Sequence, residues 1–425
     1  EVGPYRQTDR FPLYREKVQQ LLNNGRAYYC FCSQEQLEAD RKKQLAEGRS
    51  IHYVGRCRDL DAKNREERLK AGQQATIRLR VRPGTVAFQD LVFGLIEVDT
   101  DNVGDFILLR SDGSAQYNLA CAIDDSMMGI THVIRGEGHI SNTPRQILVF
   151  EALGLPAPKY AHLSTILGPD GAKLSKRHGA TSLAEFRQLG YLSESVVNYL
   201  ALLGWTPPED GEEILSPEEI TTAFDFKSVN VNPATFDLKK FNWVNRSHLK
   251  KCPLPRLFEL ATPFLEKTRL VGTGASSEIQ SWTEELLSVI VNYLDRLEDL
   301  GKDTEFLWNF DPETDLKDQK ALEILEDPAA IGVIRGFCQG LESSGASEVS
   351  YEVYKEAVLG VMKLTGTKGK GLFRPIRLAI TGKAFGPELE KIIPIIEKGS
   401  QLTLQAEIPG VLDRVRSIVR ELGGR

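Results

Sequence analysis

No run in this chain approaches the roughly 18 consecutive apolar residues that cross a bilayer, which excludes a transmembrane enzyme. Cysteine is scarce, with six residues in 425, and its uneven spacing argues against a disulfide scaffold and fits a reducing compartment. An excess of positive charge is also missing. With 53 basic and 59 acidic residues the net charge is −6, so a nucleic-acid partner would have to be held by a local basic face. What is present is ordinary globular composition, 41% apolar and 26% charged, which rules out a disordered chain and a coiled-coil rod. At roughly 150 residues per domain the length suggests about three domains. The chain starts at Glu1 without methionine, and Glu1-Val2-Gly3-Pro4-Tyr5-Arg6 resembles neither a signal nor a transit peptide.

Leu13, Val18, Leu21 and Leu22, followed by Gly25, predict a helix over 13–24. Ser33 and Gln36 form a capping-box pattern before a polar helix. Segment 75–82 alternates strictly. Ala75, Ile77, Leu79 and Val81 fall on one face and Arg78, Arg80 and Arg82 on the other, which predicts a half-buried strand with three arginines facing solvent. Further strands are predicted over 86–98, 105–110 and 131–135, with a helix over 143–153 stopped by Gly154; this alternation predicts an α/β sheet. A strand over 162–167 enters the turn Gly168-Pro-Asp-Gly171, and helices follow at Ser182/Glu185 and at Ser216-Pro217 with Glu219. Beyond about residue 250 strand signals nearly vanish and helices are predicted around 278–300, 328–341, 351–364, 387–398 and 411–422. A domain boundary is expected near 250, with a weaker one near 325–345 where Gly340 and Ser343-Ser344-Gly345 loosen the chain.

Segment 168–179 carries the clearest chemistry. It sets Lys173, Lys176, Arg177 and His178 on a glycine-flanked loop just after a strand. Such a loop can close cations over a polyphosphate and stabilise charge on a departing pyrophosphate. The same composition also suits a solvated basic turn.

Lys173-Leu-Ser-Lys-Arg177 resembles the second signature loop of class I aminoacyl-tRNA synthetases. Gly3-Pro-Tyr-Arg-Gln-Thr-Asp-Arg10, Ala27-Tyr-Tyr-Cys-Phe-Cys-Ser33, Val133-Ile-Arg-Gly-Glu137, Asn142-Thr-Pro-Arg-Gln146 and Leu372-Phe-Arg-Pro-Ile-Arg-Leu-Ala-Ile-Thr-Gly382 resemble the bacterial-type glutamyl-tRNA synthetases, in the right order over essentially the whole chain. The resemblance implies an α/β, Rossmann-type class I catalytic domain over 1–165, its N-terminal part missing. An α+β, tRNA acceptor-binding insertion is implied over about 25–105, with a zinc knuckle over 30–59. A loop and connecting helical domain would occupy 166–250, and an all-helical anticodon-binding region 251–425, with a subdivision near 325–345. The helical C-terminal half separates the chain from short paralogues that lack an anticodon-binding domain, and from relatives with β-barrels there.

The resemblance also implies roles. Glutamate and ATP, accompanied by Mg2+, would give glutamyl-adenylate, and the acyl group would pass to tRNA(Glu). Lys173 and Lys176 would be catalytic, and Lys173, Leu174, Ser175, Lys176 and Arg177 would form the ATP loop. Tyr117 and Arg135 would line the glutamate pocket, with Cys121 close by where some relatives carry Asn; Arg supplies the forked geometry a carboxylate needs. Read as residues alone, Tyr117 is a core aromatic and Arg135 an ion-pair partner of Glu137. Gly138 departs from the acidic residue usual in relatives. Cys30, Cys32 and Cys57 would hold a structural Zn2+ with Asp59 as fourth ligand and Tyr53 as the alternative; Cys252 and Cys338 read as packing residues. Arg78, Arg80 and Arg82, and Lys368, Lys370, Arg374 and Arg377, would contact tRNA. A cytoplasmic monomer is expected, with an organellar matrix or stroma as the other location. Two other readings stand beside the ligase. One is an enzyme that also charges tRNA(Gln). The other is a non-catalytic tRNA-binding relative, because the first class I signature, placed by the family upstream of Gly3, has no match in these residues. On that ground the chain is expected to bind tRNA yet fail ATP–pyrophosphate exchange.

Overall fold

The computed structural model describes residues 3–49, 51–179, 182–208, 211–268, 270–271 and 275–423; the His178 side chain lies outside this description. Contacts divide the chain into two units. The first contains residues 1–173, 202–211 and 223–236; the second contains 174–201, 212–222 and 237–425.

In the first unit, α1 (Phe11–Asn23) has proline in its opening turn and buries Tyr14, Val18 and Leu21. It ends before Gly25, whose φ of +66° only glycine adopts without strain. Strand β1 (Ala27–Cys30) leads to α2 (Gln34–Ala46), where the expected Ser33–Gln36 capping box is formed in both directions. After α3 (Ala62–Lys70), β2 (Thr76–Leu79) pairs antiparallel with β1. Strands β3 (Thr85–Asp90) and β4 (Gly94–Asp99) form a hairpin, followed by the short α4 (Thr100–Val103) and by β5 (Ile107–Leu109), which closes the small sheet β1-β2-β5.

The second sheet positions the candidate site. α5 (Tyr117–Met127), β6 (His132–Gly136), α6 (Thr143–Leu153) and β7 (Lys159–Leu163) follow in order. The β6–α6–β7 crossover makes β6 and β7 parallel, and the sheet order is β4-β3-β7-β6. Leu119, Ile123, Val149, Phe150 and Tyr160 form the core beneath it. The strand expected over 162–167 is two pieces, β7 and a two-residue strand Ile166–Leu167 that pairs with Ala234–Thr235.

The second unit is helical. Helices include Leu238–Lys251, Leu254–Leu265, Ser277–Ile290, Leu300–Trp308, Pro328–Ser343, Tyr351–Thr365, Lys370–Thr381, Leu389–Gln401 and Val411–Gly423. One hydrophobic core runs from Leu192 to Leu422. The division expected at residue 250 is therefore not one of contacts, since residues 166–250 are shared between the units. Nor does 325–345 separate subdomains: Pro328–Ser343 crosses it and buries Val333, Ile334, Phe337 and Leu341 in the common core. The single helix expected over 278–300 is interrupted. Asn245 Nδ2 donates to the Asp295 carbonyl at 2.6 Å and Arg246 pairs with the Asp295 carboxylate, pinning a turn between two helices. Gly366 and Gly369, with φ of +66° and +60°, break the chain before a helix Lys370–Thr381 that buries Leu372, Ile376, Ala379 and Ile380 along one side, so Lys368 lies in the break and Lys370, Arg374 and Arg377 on the helix.

Candidate functional site: an arginine-centred pocket, a cationic loop and a thiol cluster

Arg135 lies on β6 directly opposite His162 on β7. Its Nε donates to His162 Nε2 at 3.3 Å, and its Nη2 donates to Thr143 Oγ1 at 2.8 Å and Gln146 Oε1 at 2.9 Å. Its Nη1 bonds none of these three groups. The ion pair with Glu137 expected from the residues alone is not formed: the Glu137 carboxylate accepts from the Thr165 amide instead. The guanidinium is thus oriented by neutral acceptors on one side, and on the other it faces the Tyr117 hydroxyl, which it bonds, and the Asp125 carboxylate.

Tyr117 opens α5 and is 44% exposed, which corrects its reading as a core aromatic. Its hydroxyl lies 3.5 Å from His139 Nδ1, and burial together with Cys121 raises its pKa while Arg135 pulls the other way. Cys121, one turn along α5, sits 3.8 Å from Asp125 Oδ2; burial and that carboxylate push its thiol up. Burial also raises Asp125, against the nearby charge of Arg135. Tyr117, Cys121 and Arg135 therefore share one polar neighbourhood.

Sequence reasoning missed the layer behind Arg135. Asp90 and His162 are both fully buried, with Asp90 Oδ2 2.7 Å from His162 Nδ1. Burial opposes charge on Asp90, but the amides of Phe93, Val92 and His162 hold its carboxyl below the usual range. Burial lowers the His162 pKa, and Arg135 and His139 add to this against Asp90. A histidine at a core position of a strand was the available signal, because buried polar groups need partners.

The loop 168–177 starts from a tight turn. The Gly168 amide bonds the Ala172 carbonyl at 2.7 Å, and Gly171 has φ of +74°. Lys173 bridges back to Leu167, and Lys176 and Arg177 open a 3-10 turn. Lys173, Ser175, Lys176 and Arg177 are exposed and Leu174 is half-buried. Neither lysine ammonium makes a hydrogen bond or ion pair among the described residues.

Cys30, Cys32 and Cys57 converge, with their Sγ atoms all within 4.8 Å of one another. The Tyr53 hydroxyl lies 3.4 Å from both Cys30 and Cys32, and it also accepts from the Cys57 amide at 2.8 Å. Asp59 is not part of this group. Its carboxylate is exposed and bonds Arg80 at 2.9 Å. Burial pushes the Cys32 thiol up to about 12. Burial also opposes ionisation of Cys30, but the Tyr53 hydroxyl, the Cys32 amide and Arg78 outweigh it and lower its pKa.

That environment corrects the arginine strand. Arg78 does not face solvent: it is buried over the Tyr53 ring at 4.0 Å, bonded to the Asp105 carbonyl and adjacent to Cys30. Arg80 is half-buried, held by Asp59 and the Arg58 carbonyl and lying over the Tyr28 ring. Only Arg82 is exposed. In the second unit Lys368, Lys370 and Arg374 are exposed, and Arg374 and Lys320 both lie over the exposed Phe385 ring. Arg377 bonds the Pro387 carbonyl at 2.6 Å and, with Tyr351, Tyr354, Phe373 and Leu389, lines a cavity of about 310 Å3.

A mixed sheet carrying a cluster of Arg135, Tyr117 and Cys121 at its parallel strands, followed by a helical unit with a basic aromatic face, is the architecture of a class I aminoacyl-tRNA synthetase. A family model described as tRNA synthetases class I (E and Q), catalytic domain, matches residues 1–243, and one described as an anticodon binding domain matches 256–403. A glutamate–tRNA ligase of Carboxydothermus hydrogenoformans is 42% identical over 397 residues, covering 93% of this chain and 82% of that protein. One of Bacillus subtilis is 39% identical over 401 residues, covering 94% and 82%. The crystal structure of a glutamate tRNA ligase from Elizabethkingia meningosepticum, in complex with its amino acid, aligns with a TM-score of 0.79 at 25% identity, covering 99% of this chain and 84% of that one. The chain belongs to the glutamate–tRNA ligases within that class.

Proposed function

We propose that this chain attaches L-glutamate to tRNA(Glu) in two steps, with the residues above in distinct roles. Arg135 receives the side-chain carboxylate of glutamate through its Nη1 edge, and the Tyr117 hydroxyl adds a donor beside it. Cys121 borders the same pocket without a charge of its own at neutral pH, since its thiol is pushed up. ATP, carrying Mg2+, presents its phosphates to Lys173, Ser175, Lys176 and Arg177. The α-carboxylate of glutamate attacks the α-phosphorus, and the two lysines stabilise charge as pyrophosphate departs. A terminal ribose hydroxyl of the tRNA then attacks the acyl carbon and AMP leaves. The observation that carries this reading is an arginine braced by three neutral side chains, in no ion pair among the described residues, and turned toward an exposed tyrosine.

For tRNA, the support lies with Lys368, Lys370 and Arg374 around Phe385 and with the Arg377 cavity, where unstacked bases could stack on aromatic and guanidinium planes. Arg82, and to a lesser degree Arg80, remain for the acceptor side, and Arg78 instead serves as a charge partner of the thiol cluster.

The donor set Cys30, Cys32, Cys57 and Tyr53 fits one structural Zn2+, which would crosslink β1 to the 53–57 turn. Elemental analysis of the purified chain is expected to return one zinc per molecule, and C32S to abolish it. Metal content unchanged in C32S would overturn the assignment.

The test of the function is charging of tRNA(Glu) with radiolabelled glutamate in the presence of ATP and Mg2+, with tRNA(Gln) in a parallel arm. Glutamylation of tRNA(Glu) supports the reading, and charging in both arms identifies the less discriminating form. Retained tRNA binding with no charging in either arm favours the non-catalytic tRNA-binding relative over the ligase, and glutamine charged in preference to glutamate would overturn the reading.

A further inference from the structure

The Arg135 guanidinium would ordinarily rotate, because fixing a long side chain costs rotamer freedom. Here its plane is set from behind. The Asp90 carboxylate accepts from the amides of Val92 and Phe93 at 2.9 Å each and from the His162 amide at 3.1 Å, so it is held in place and ionised. An ionised acceptor 2.7 Å from His162 Nδ1 requires that nitrogen to carry the proton. In the neutral ring Nε2 is then a lone-pair acceptor, and it faces Arg135 Nε and Thr143 Oγ1. Had the ring protonated there, two N–H groups would oppose each other at 3.3 Å. The groups facing His162 are Asp90 from β3, Arg135 from β6, Thr143 from α6 and, at longer range, His139; the Tyr160 ring stacks 6.2 Å away and the Phe88 ring packs against its edge. Parallel register places Arg135 and His162 side by side, so the contact follows from backbone pairing.

We infer that Asp90 and His162 are positioning residues for substrate selection: a buried carboxylate fixes the tautomer of His162, whose Nε2 turns the Arg135 fork so that Nη1 meets the side-chain carboxylate of the amino acid. Neither residue touches substrate. The pair acts on discrimination between a carboxylate and a neutral amide, because only the carboxylate needs the fork aimed. This rests on the proposed role of Arg135, and the experiment separates the two.

L-glutamate and L-glutamine are titrated calorimetrically into the full chain and into H162N, H162Q and D90N, with melting temperatures measured alongside. Asparagine keeps a donor toward Asp90 but offers Arg135 nothing. Glutamine reaches the Nε2 position with an acceptor oxygen. H162N and D90N are expected to weaken glutamate binding roughly 10- to 100-fold, by analogy with the loss on removing the partners that orient metal ligands, while glutamine binding is unchanged. H162Q is expected to recover most of the glutamate affinity. Wild-type affinity in H162N overturns the inference. So does equal loss for both amino acids in H162N and H162Q in step with melting temperature, which is the behaviour of a purely structural pair. If the unmodified chain binds glutamate no better than glutamine, the role of Arg135 fails and the inference falls with it.

Discussion

Arg135→Ala is expected to reduce glutamate affinity, and kcat/KM for glutamate, by about 2–5 kcal/mol, or roughly 30- to 4,000-fold. The magnitude follows from what remains when the fork is removed. The substrate carboxylate would face a neutral pocket of Tyr117 and Cys121 with Asp125 close by, and its water would be replaced by no counter-charge. Arg135→Lys is expected to fall between, because an ammonium keeps charge but cannot satisfy His162, Thr143, Gln146 and a ligand at once. Binding calorimetry and steady-state charging check both variants. A loss below about 5-fold in Arg135→Ala would remove Arg135 from the pocket.

The largest stability effect is expected from Arg414. This side chain is wholly buried in the helical unit, yet among the described residues it pairs with no carboxylate. It donates to the carbonyls of Pro409, Phe306, Ile380 and Leu307 and lies over the Phe310 ring at 4.6 Å. Three of those carbonyls belong to the last turns of Leu300–Trp308 and Lys370–Thr381, where C=O groups without intrahelical partners favour a cation. Burial pushes its pKa down to about 9, so it stays protonated at neutral pH. Arg414→Met matches the volume and leaves four buried carbonyls without donors, and a loss of about 3–5 kcal/mol is expected. Urea unfolding followed by Trp282 and Trp308 fluorescence measures it. A change under about 1 kcal/mol would mean that water replaces the guanidinium.

Local signals in the sequence were reliable where the chain determines its own conformation. The capping boxes at Ser33 and Ser182, the Gly25 and Gly154 stops and, apart from the interrupted 278–300 segment, the C-terminal amphipathic helices form as the pattern predicts. Expectations failed where distant segments decide. Alternation put Arg78 on a wet face, but Tyr53 and Asp105 cover that face from 25 and 27 residues away. Asp59 has the spacing of a ligand, yet Arg80 takes its carboxylate. Arg135 was singled out by resemblance, whereas the groups that hold it were not, since Asp90 and His162 carry no motif and meet only through sheet pairing.

That separation also has a kinetic consequence. Asp90 and His162 stand 72 residues apart, and β7 joins β3 to β6 only after the whole β4–α6 segment has been folded back. Closing such a span precedes any stabilising return, so long-range pairing of this kind is slow. We predict that pulse-labelled hydrogen exchange would protect the amides of α1 and α6 before those of Leu91 and His162, and simultaneous protection would refute this ordering. A chain emerging during synthesis would therefore bring His162 beside Arg135, 27 residues away across one crossover, before the 72-residue span to Asp90 is closed.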